Sequence, residues 1–196
     1  MDYKILVNKE NRLEPNFVPE SLITTDENEN NFHKFQDPMQ KPTIHTMVLP
    51  YFLKMQQDAK KAGFNIIVDS GYRSYEYQQV VWNYFLEEIG LEETKKRVAL
   101  PGTSEHQTGF AIDVGYIING KFIDEVEEAQ LETQWLFENA YKYGFILRYP
   151  KGKEEITGYN YEPWHYRFVG LELAKKLFDE NITLEEYYTK IKDRQR

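Results

Sequence analysis

Apolar residues recur along this chain at two periods, and the switch from one to the other lays out its elements. From Val48 to Ala62, Leu49, Phe52, Leu53, Met55 and Ala59 return at helical spacing; Pro50 suits an opening turn and Gly63 a stop, so a first core helix is expected there. "FNIIVDSGYRS" is a near-continuous apolar run into a glycine turn, the pattern of a buried strand. "YEYQQVVWNYFLEEIG" then carries Tyr77, Val80, Val81, Tyr84 and Phe85 at helical period and stops at Gly90, and these five form the face expected to turn inward. Arg73 falls where strand gives way to helix.

"FAIDVGYII" alternates, with Phe110 and Ile112 facing one way and Ala111 and Asp113 the other, and Asn119-Gly120 reads as a tight hairpin turn into "KFI". A helix is expected over Leu131 to Tyr143, ended by Gly144 and followed by the strand "FILRY". "HYRFVG" alternates again before a helix at "LELAKKLF". "TLEEYYTKI" opens on Thr183 with Glu186 three residues on, a capping box. The polar, acidic and aperiodic stretch Thr24 to Pro38 reads as a surface loop. Helices mixed with hairpin-linked strands in this order predict an α+β fold, one domain over 1–196 with a central, mainly antiparallel sheet flanked by helices.

Composition agrees with that picture and removes several functions. The 196 residues suffice for one domain with its own core, and 15 Tyr and 12 Phe suit half-buried strands or a groove gripping a polar ligand. Net charge is -8, with no basic run to track a phosphate backbone, so nucleic acid is not an expected partner. The chain has no cysteine, so any metal must be held by histidine and carboxylate. No stretch approaches the roughly 18 apolar residues of a membrane span, and "MDYKILVNKENRLEPNF" lacks a signal-peptide core. The expectation is a monomer in the cytoplasm, or at the cell surface for a chain trimmed of an export segment.

The chemistry gathers in two segments. In "SEHQTGFAID", His106 and Asp113 stand seven positions apart around Gly109, and a residue free of Cβ sterics lets the backbone turn so that both converge on one point. In "GYNYEPWHYRFVG", Glu162 precedes His165 by three; Pro163 disfavours helical dihedrals for Glu162, so an extended approach to the strand is expected. Trp164, Tyr166 and Phe168 would then share one face, leaving His165 on the other, toward His106 and Asp113. Hydrolytic zinc typically takes three such protein ligands and leaves a fourth position for water, a count that two histidines and one aspartate meet. Glu162 is the natural proton shuttle beside them.

Taken singly, each of these residues has a structural explanation: a hydrogen-bonded strand histidine, a buried aspartate satisfied by turn amides, a solvated glutamate, a surface arginine. Together they point to one site. His33, in the acidic loop, and His45, before the first helix, have no such setting and read as structural or surface residues.

The set "SGYRS", "SEHQTGFAIDVG" and "EPWHYRFVG" resembles the zinc D-Ala-D-Ala carboxypeptidases of the VanY and VanXY type, relatives of the L,D-carboxypeptidases called LdcB. The likeness runs from about Leu6 to Tyr188 and takes in "LVNKENRL", "VALPGTSEHQTG" and "TLEEYY". It implies the fold shared by lysostaphin-type peptidases, D-Ala-D-Ala metallopeptidases and the hedgehog signalling domain. It also implies His106, Asp113 and His165 as Zn2+ ligands, Glu162 as catalytic base, and Arg73 as the arginine that meets the substrate near its scissile carbonyl and terminal carboxylate. Gln78 and Ser104 resemble the neutral groups that hold the C-terminal D-alanine.

The expected activity is removal of terminal D-alanine from peptidoglycan precursor peptides ending in D-Ala-D-Ala, with dipeptidase action on the free dipeptide beside it. The alternatives are an L,D-carboxypeptidase trimming tetrapeptide stems and, from a different class, a zinc-containing binding module without hydrolysis.

Overall fold

The computed structural model describes residues 2–25 and 42–194. The surface loop expected from Thr24 lies outside them apart from Thr24 and Thr25, as does His33. Two short strands, β1 (Leu22–Thr24) and β2 (Thr43–His45), pair antiparallel. Helix α1 (Leu49–Lys61) follows with Pro50 in its first turn and buries Phe52, Met55 and Ala59, while Leu53 stays 45% exposed. Strand β3 (Ile66–Ser70) is buried along its whole length, and α2 (Tyr75–Ile89) begins at Ser74, whose hydroxyl accepts from Tyr77 N.

Helix α2 is rotated from the expected face. Gln78, Val81 and Trp82 are buried, whereas Val80 is 60% and Tyr84 41% exposed. A helix not foreseen, α3 (Leu91–Arg97), explains the rotation: it and the segment behind it bring Val98 against Val81 and Trp82, and the Ala99 carbonyl to the Gln78 amide at 2.8 Å.

A single 3-10 turn, Glu105–Thr108, leads into β4 (Ala111–Ile118), the strand around which the sheet is built. On one edge β4 pairs with β3; on the other it pairs with β7 (His165–Phe168) and, further along, with β5 (Lys121–Ile123). Asn119 and Gly120 both take positive φ at the β4–β5 hairpin, as a tight turn matched to strand twist requires. Helix α4 (Leu131–Asn139) runs into a 3-10 turn, Ala140–Tyr143, capped by left-handed Gly144, and β6 (Phe145–Leu147) closes the sheet beyond β7. A one-turn helix, α5 (Glu154–Thr157), precedes β7; α6 (Leu171–Glu180) and α7 (Leu184–Arg194) end the described chain. Every strand pairing is antiparallel among the described residues, giving the α+β fold expected.

Alternation sorts the sheet's two faces. Phe110, Ile112, Val114, Tyr116, Tyr166 and Phe168 pack into one cluster with α1 and the α4 region. On the opposite face a second apolar cluster lies near β6, where Ile146 and Val169 meet α6 and the start of α7. The centre of that face carries Asp113, His165 and Arg167. Among the described residues no helix is long and apolar enough to cross a membrane.

The capping box at α7 is formed both ways: Glu186 accepts from Thr183 N at 2.7 Å, and Thr183 Oγ1 accepts from Glu186 N at 3.2 Å. Thr183→Ala should therefore lower stability by about 1 kcal/mol and the melting midpoint by roughly 2–4 °C, read by thermal and urea denaturation.

Candidate metal centre

Three local features aim side chains at one point. The first is strand register: Asp113 on β4 lies directly opposite His165 on β7, so both project from the same face as cross-strand neighbours. The second is the turn before β4. Gly109 sits at φ 71, where a Cβ would come 3.0 Å from Leu22 Cδ2 and 3.1 Å from His45 N; the resulting sharp reversal swings His106 over the sheet. The Gly109 carbonyl accepts from His45 N at 2.9 Å, and the His45 ring lies against Phe110, a structural role.

The third feature departs from expectation. Instead of approaching β7 as extended chain, Glu162 to His165 form a tight turn around Pro163, closed by His165 N donating to Glu162 O at 3.2 Å. That turn folds the Glu162 carboxyl back to 3.6 Å from His165 Nδ1.

His106 Nε2 then lies 3.3 Å from Asp113 Oδ2, and His165 Nδ1 3.2 Å from Asp113 Oδ1. Among the described residues one group of side chains could hold a metal ion, and it is His106, Asp113 and His165, with ligand atoms within 4.8 Å of one another. The fit is chemical as well as geometric: His106 Nε2 and Asp113 Oδ1 are buried with no hydrogen-bond partner, a costly condition that a cation relieves. His106 Nδ1 faces the Gly71 carbonyl at 2.6 Å and donates to it, which leaves the lone pair on Nε2.

Burial first, and then nearby Arg73, push the His106 imidazole down to about 4, so it is neutral and ready to ligate. Asp113 feels burial upward, but both imidazoles outweigh it and hold its carboxyl well below the usual range. His165 is pushed down by burial and up by Asp113, Glu105 and Glu162, ending near 9; an entering metal displaces that proton. Glu162, 8% exposed, is raised to about 8 chiefly by burial.

All seven residues singled out from the sequence line one cleft of about 480 Å3. Arg73 reaches Asp113 Oδ2 with Nη2 at 3.4 Å, and its backbone N–H donates to the His106 carbonyl. Ser104 caps the 3-10 turn, its hydroxyl accepting from His106 N at 3.3 Å and keeping its own hydrogen for another partner. Gln78 is buried, with Nε2 tied to Ala99 and Oε1 unpartnered.

Two residues of the site were not foreseen. Asp69, at a bulge where β3 slips register against β4, lines the cleft and is raised to about 8 by burial and by Asp113 and Asp124. Glu105 is wholly buried beneath His165 and is met by Arg148 and Arg167. The available signal was an arginine in each of two apolar strands, "FILRY" and "HYRFVG", since a charge there demands a buried partner.

The family model described as VanY, D-alanyl-D-alanine carboxypeptidase, matches residues 41–171. The chain belongs to this family. YodJ of Bacillus subtilis (strain 168) is 42% identical to this VanY-family chain over 187 residues, 95% of it and 67% of YodJ. The solved L,D-carboxypeptidase LdcB, whose structure concerns peptidoglycan recognition, superposes with a TM-score of 0.81 at 42% identity, covering 94% of this chain and 84% of LdcB. VanY, a vancomycin-resistance D,D-pentapeptidase from a VanB-type cassette solved as a variant with Zn(II), gives 0.79 at 34% identity, covering 95% and 98%. The chain spans 67%, 55% and 43% of the length of three curated relatives it matches. It is a carboxypeptidase-family protein, and its fold is that of VanY and LdcB.

The centre predicts one tightly held divalent transition-metal ion per chain, with binding lost in His165→Ala. Equilibrium dialysis reads both; undiminished binding in the variant would mean that the ion sits elsewhere.

Proposed function

We propose that this VanY-family chain is a zinc-dependent D,D-carboxypeptidase that removes terminal D-alanine from peptidoglycan precursor peptides ending in D-Ala-D-Ala, with the free dipeptide as a second substrate. The observation that carries this reading is the place of Glu162: a buried carboxyl 3.6 Å from His165, in the cleft shared with Arg73. A site built only to bind has no need of a proton-carrying carboxyl beside the metal-binding group.

His106, Asp113 and His165 would hold the zinc ion, which when bound would polarise the scissile carbonyl as a Lewis acid and lower the pKa of water enough for it to lose a proton near neutrality. Glu162 accepts the proton as the water oxygen bonds to the carbonyl carbon of the penultimate residue. When the C–N bond breaks, Glu162 passes the proton to the nitrogen of the departing D-alanine, so no acyl-enzyme forms. Burial suits Glu162 to this exchange, because a carboxyl raised from the usual range holds and releases a proton near neutral pH.

Arg73 meets the substrate's terminal carboxylate, and its fixed charge also opposes the negative charge that grows on the carbonyl oxygen. In this reading Gln78 Oε1, buried and unpartnered, accepts an N–H of the terminal residue, and the Ser104 hydroxyl, with its own hydrogen to give, donates to its carboxylate. Both ends of the chain close on this region: Arg167 donates to Tyr3 O and Ile5 O, and Arg148 to Glu185 on α7, which supports one catalytic domain across 1–196. The likeness to LdcB supports a second reading, cleavage of a tetrapeptide stem by the same centre, in which only the pocket around the penultimate residue differs.

Glu162→Gln should keep its metal and bind peptide while turnover falls by several orders of magnitude, since only the proton relay is removed. Arg73→Ala should keep its metal and lose in both kcat and KM. Full activity in either variant contradicts the role given to that residue. Zinc-loaded protein incubated with free D-Ala-D-Ala, a pentapeptide stem and a tetrapeptide stem should release D-alanine from the pentapeptide, identified by mass. Release from the tetrapeptide alone would move the assignment to the L,D reading, and no release from any would leave a binding module.

A further inference from the structure

Beneath the cleft lies a group of charges that the proposed chemistry does not use. Glu105 is completely buried, and its Oε1 accepts from Arg148 Nε at 2.7 Å and Arg167 Nη1 at 2.8 Å. Arg148 spends its remaining nitrogens on Glu185, at 2.6 and 2.9 Å, and Arg167 spends its own on the carbonyls of Tyr3, Ile5 and Phe168. Two arginines and two glutamates thus balance, and both arginines hold Glu105 by the same oxygen. Such a cluster is expensive to bury and is a weak source of stability by itself.

The other carboxylate oxygen explains its use. Glu105 Oε2 has no hydrogen-bond partner, and neither does His165 Nε2; both are buried, and they face each other 3.6 Å apart. His165 offers the metal group its Nδ1, so in a neutral imidazole the proton belongs on Nε2, where Oε2 stands to receive it. His106 is arranged the opposite way, with Nδ1–H on the Gly71 carbonyl and Nε2 toward the centre. Each histidine therefore has a fixed acceptor behind it, a backbone carbonyl for one and a buried carboxylate for the other.

We infer that Glu105, clamped by Arg148 and Arg167, is a positioning residue that holds His165 in the Nε2–H tautomer and in the ring orientation that presents Nδ1 to the metal. The inference rests on the metal reading above. It gives the buried charges a purpose: a carboxylate fixed by two guanidinium groups cannot swing away, and an ionised acceptor orients the ring and strengthens its basicity more than a neutral one.

The test uses the whole chain loaded with Zn(II). Nitrogen-15 imidazole spectra should show His165 protonated at Nε2, with a slowly exchanging proton, and His106 protonated at Nδ1. Glu105→Gln should weaken zinc binding about 10- to 100-fold in competition with a chromophoric chelator and abolish that protected proton. Glu105→Asp retains the charge but shortens the reach, keeps both arginines partnered, and should fall between the two. Met55→Ala, which opens a cavity in the core on the other side of the sheet, should bind zinc as the wild type does, which separates positioning from general loosening of the fold. Wild-type zinc affinity in both Glu105 variants, or a His165 protonated at Nδ1 in the loaded wild type, overturns the inference while leaving the metal reading intact. Failure of the wild type to bind zinc overturns both.

Discussion

The antiparallel register of β4 against β7 is the constraint on which the centre depends. It sets Asp113 opposite His165, and a slip of one residue would send Asp113 into the apolar cluster and Ile112 or Val114 toward the cleft. The register is held where slippage costs most. Phe110, Ile112, Tyr166 and Phe168 all enter the same core on the far side, so any other pairing exposes large apolar groups and buries charges without partners.

Around that register the chain spends its irregular backbone. A left-handed glycine turns His106 over the sheet, a tight turn at Pro163 brings Glu162 back, and a bulge in β3 brings Asp69 to the cleft wall. Each device adds one polar group to a face whose edge is apolar. The negative charge of Asp113 is answered by Arg73 on the open side and that of Glu105 by Arg148 and Arg167 below, while burial pushes the carboxyls of Asp69 and Glu162 toward their neutral forms. The result is a region rich in carboxylates that a divalent cation would settle, which gives the metal reading a physical basis independent of kinship.

Much of this was legible in the residues. Alternation in "FAIDVGYII" and "HYRFVG" predicts which side chains face together, and Thr183 with Glu186 marks the start of α7, because both signals are local. What sequence left out depends on tertiary neighbours. The turn of α2 about its axis follows from α3, whose "LEETKKR" has no apolar period to reveal it. Glu105, beside a histidine in a polar turn, looks solvated until the fold brings two strand arginines onto it. Pro163 excludes a helix at Glu162, and that exclusion is compatible with either extended chain or a turn; the hydrogen bond from His165 N decides for the turn.

In the proposed centre two imidazoles and one carboxylate share a single cation while a further position stays open to water. X-ray absorption at the zinc edge of the loaded protein tests this arrangement most directly. About four light donors near 2.0–2.1 Å, with the outer scattering of two imidazole rings, are expected. A shell of oxygens alone, or the signature of one imidazole or none, would contradict it.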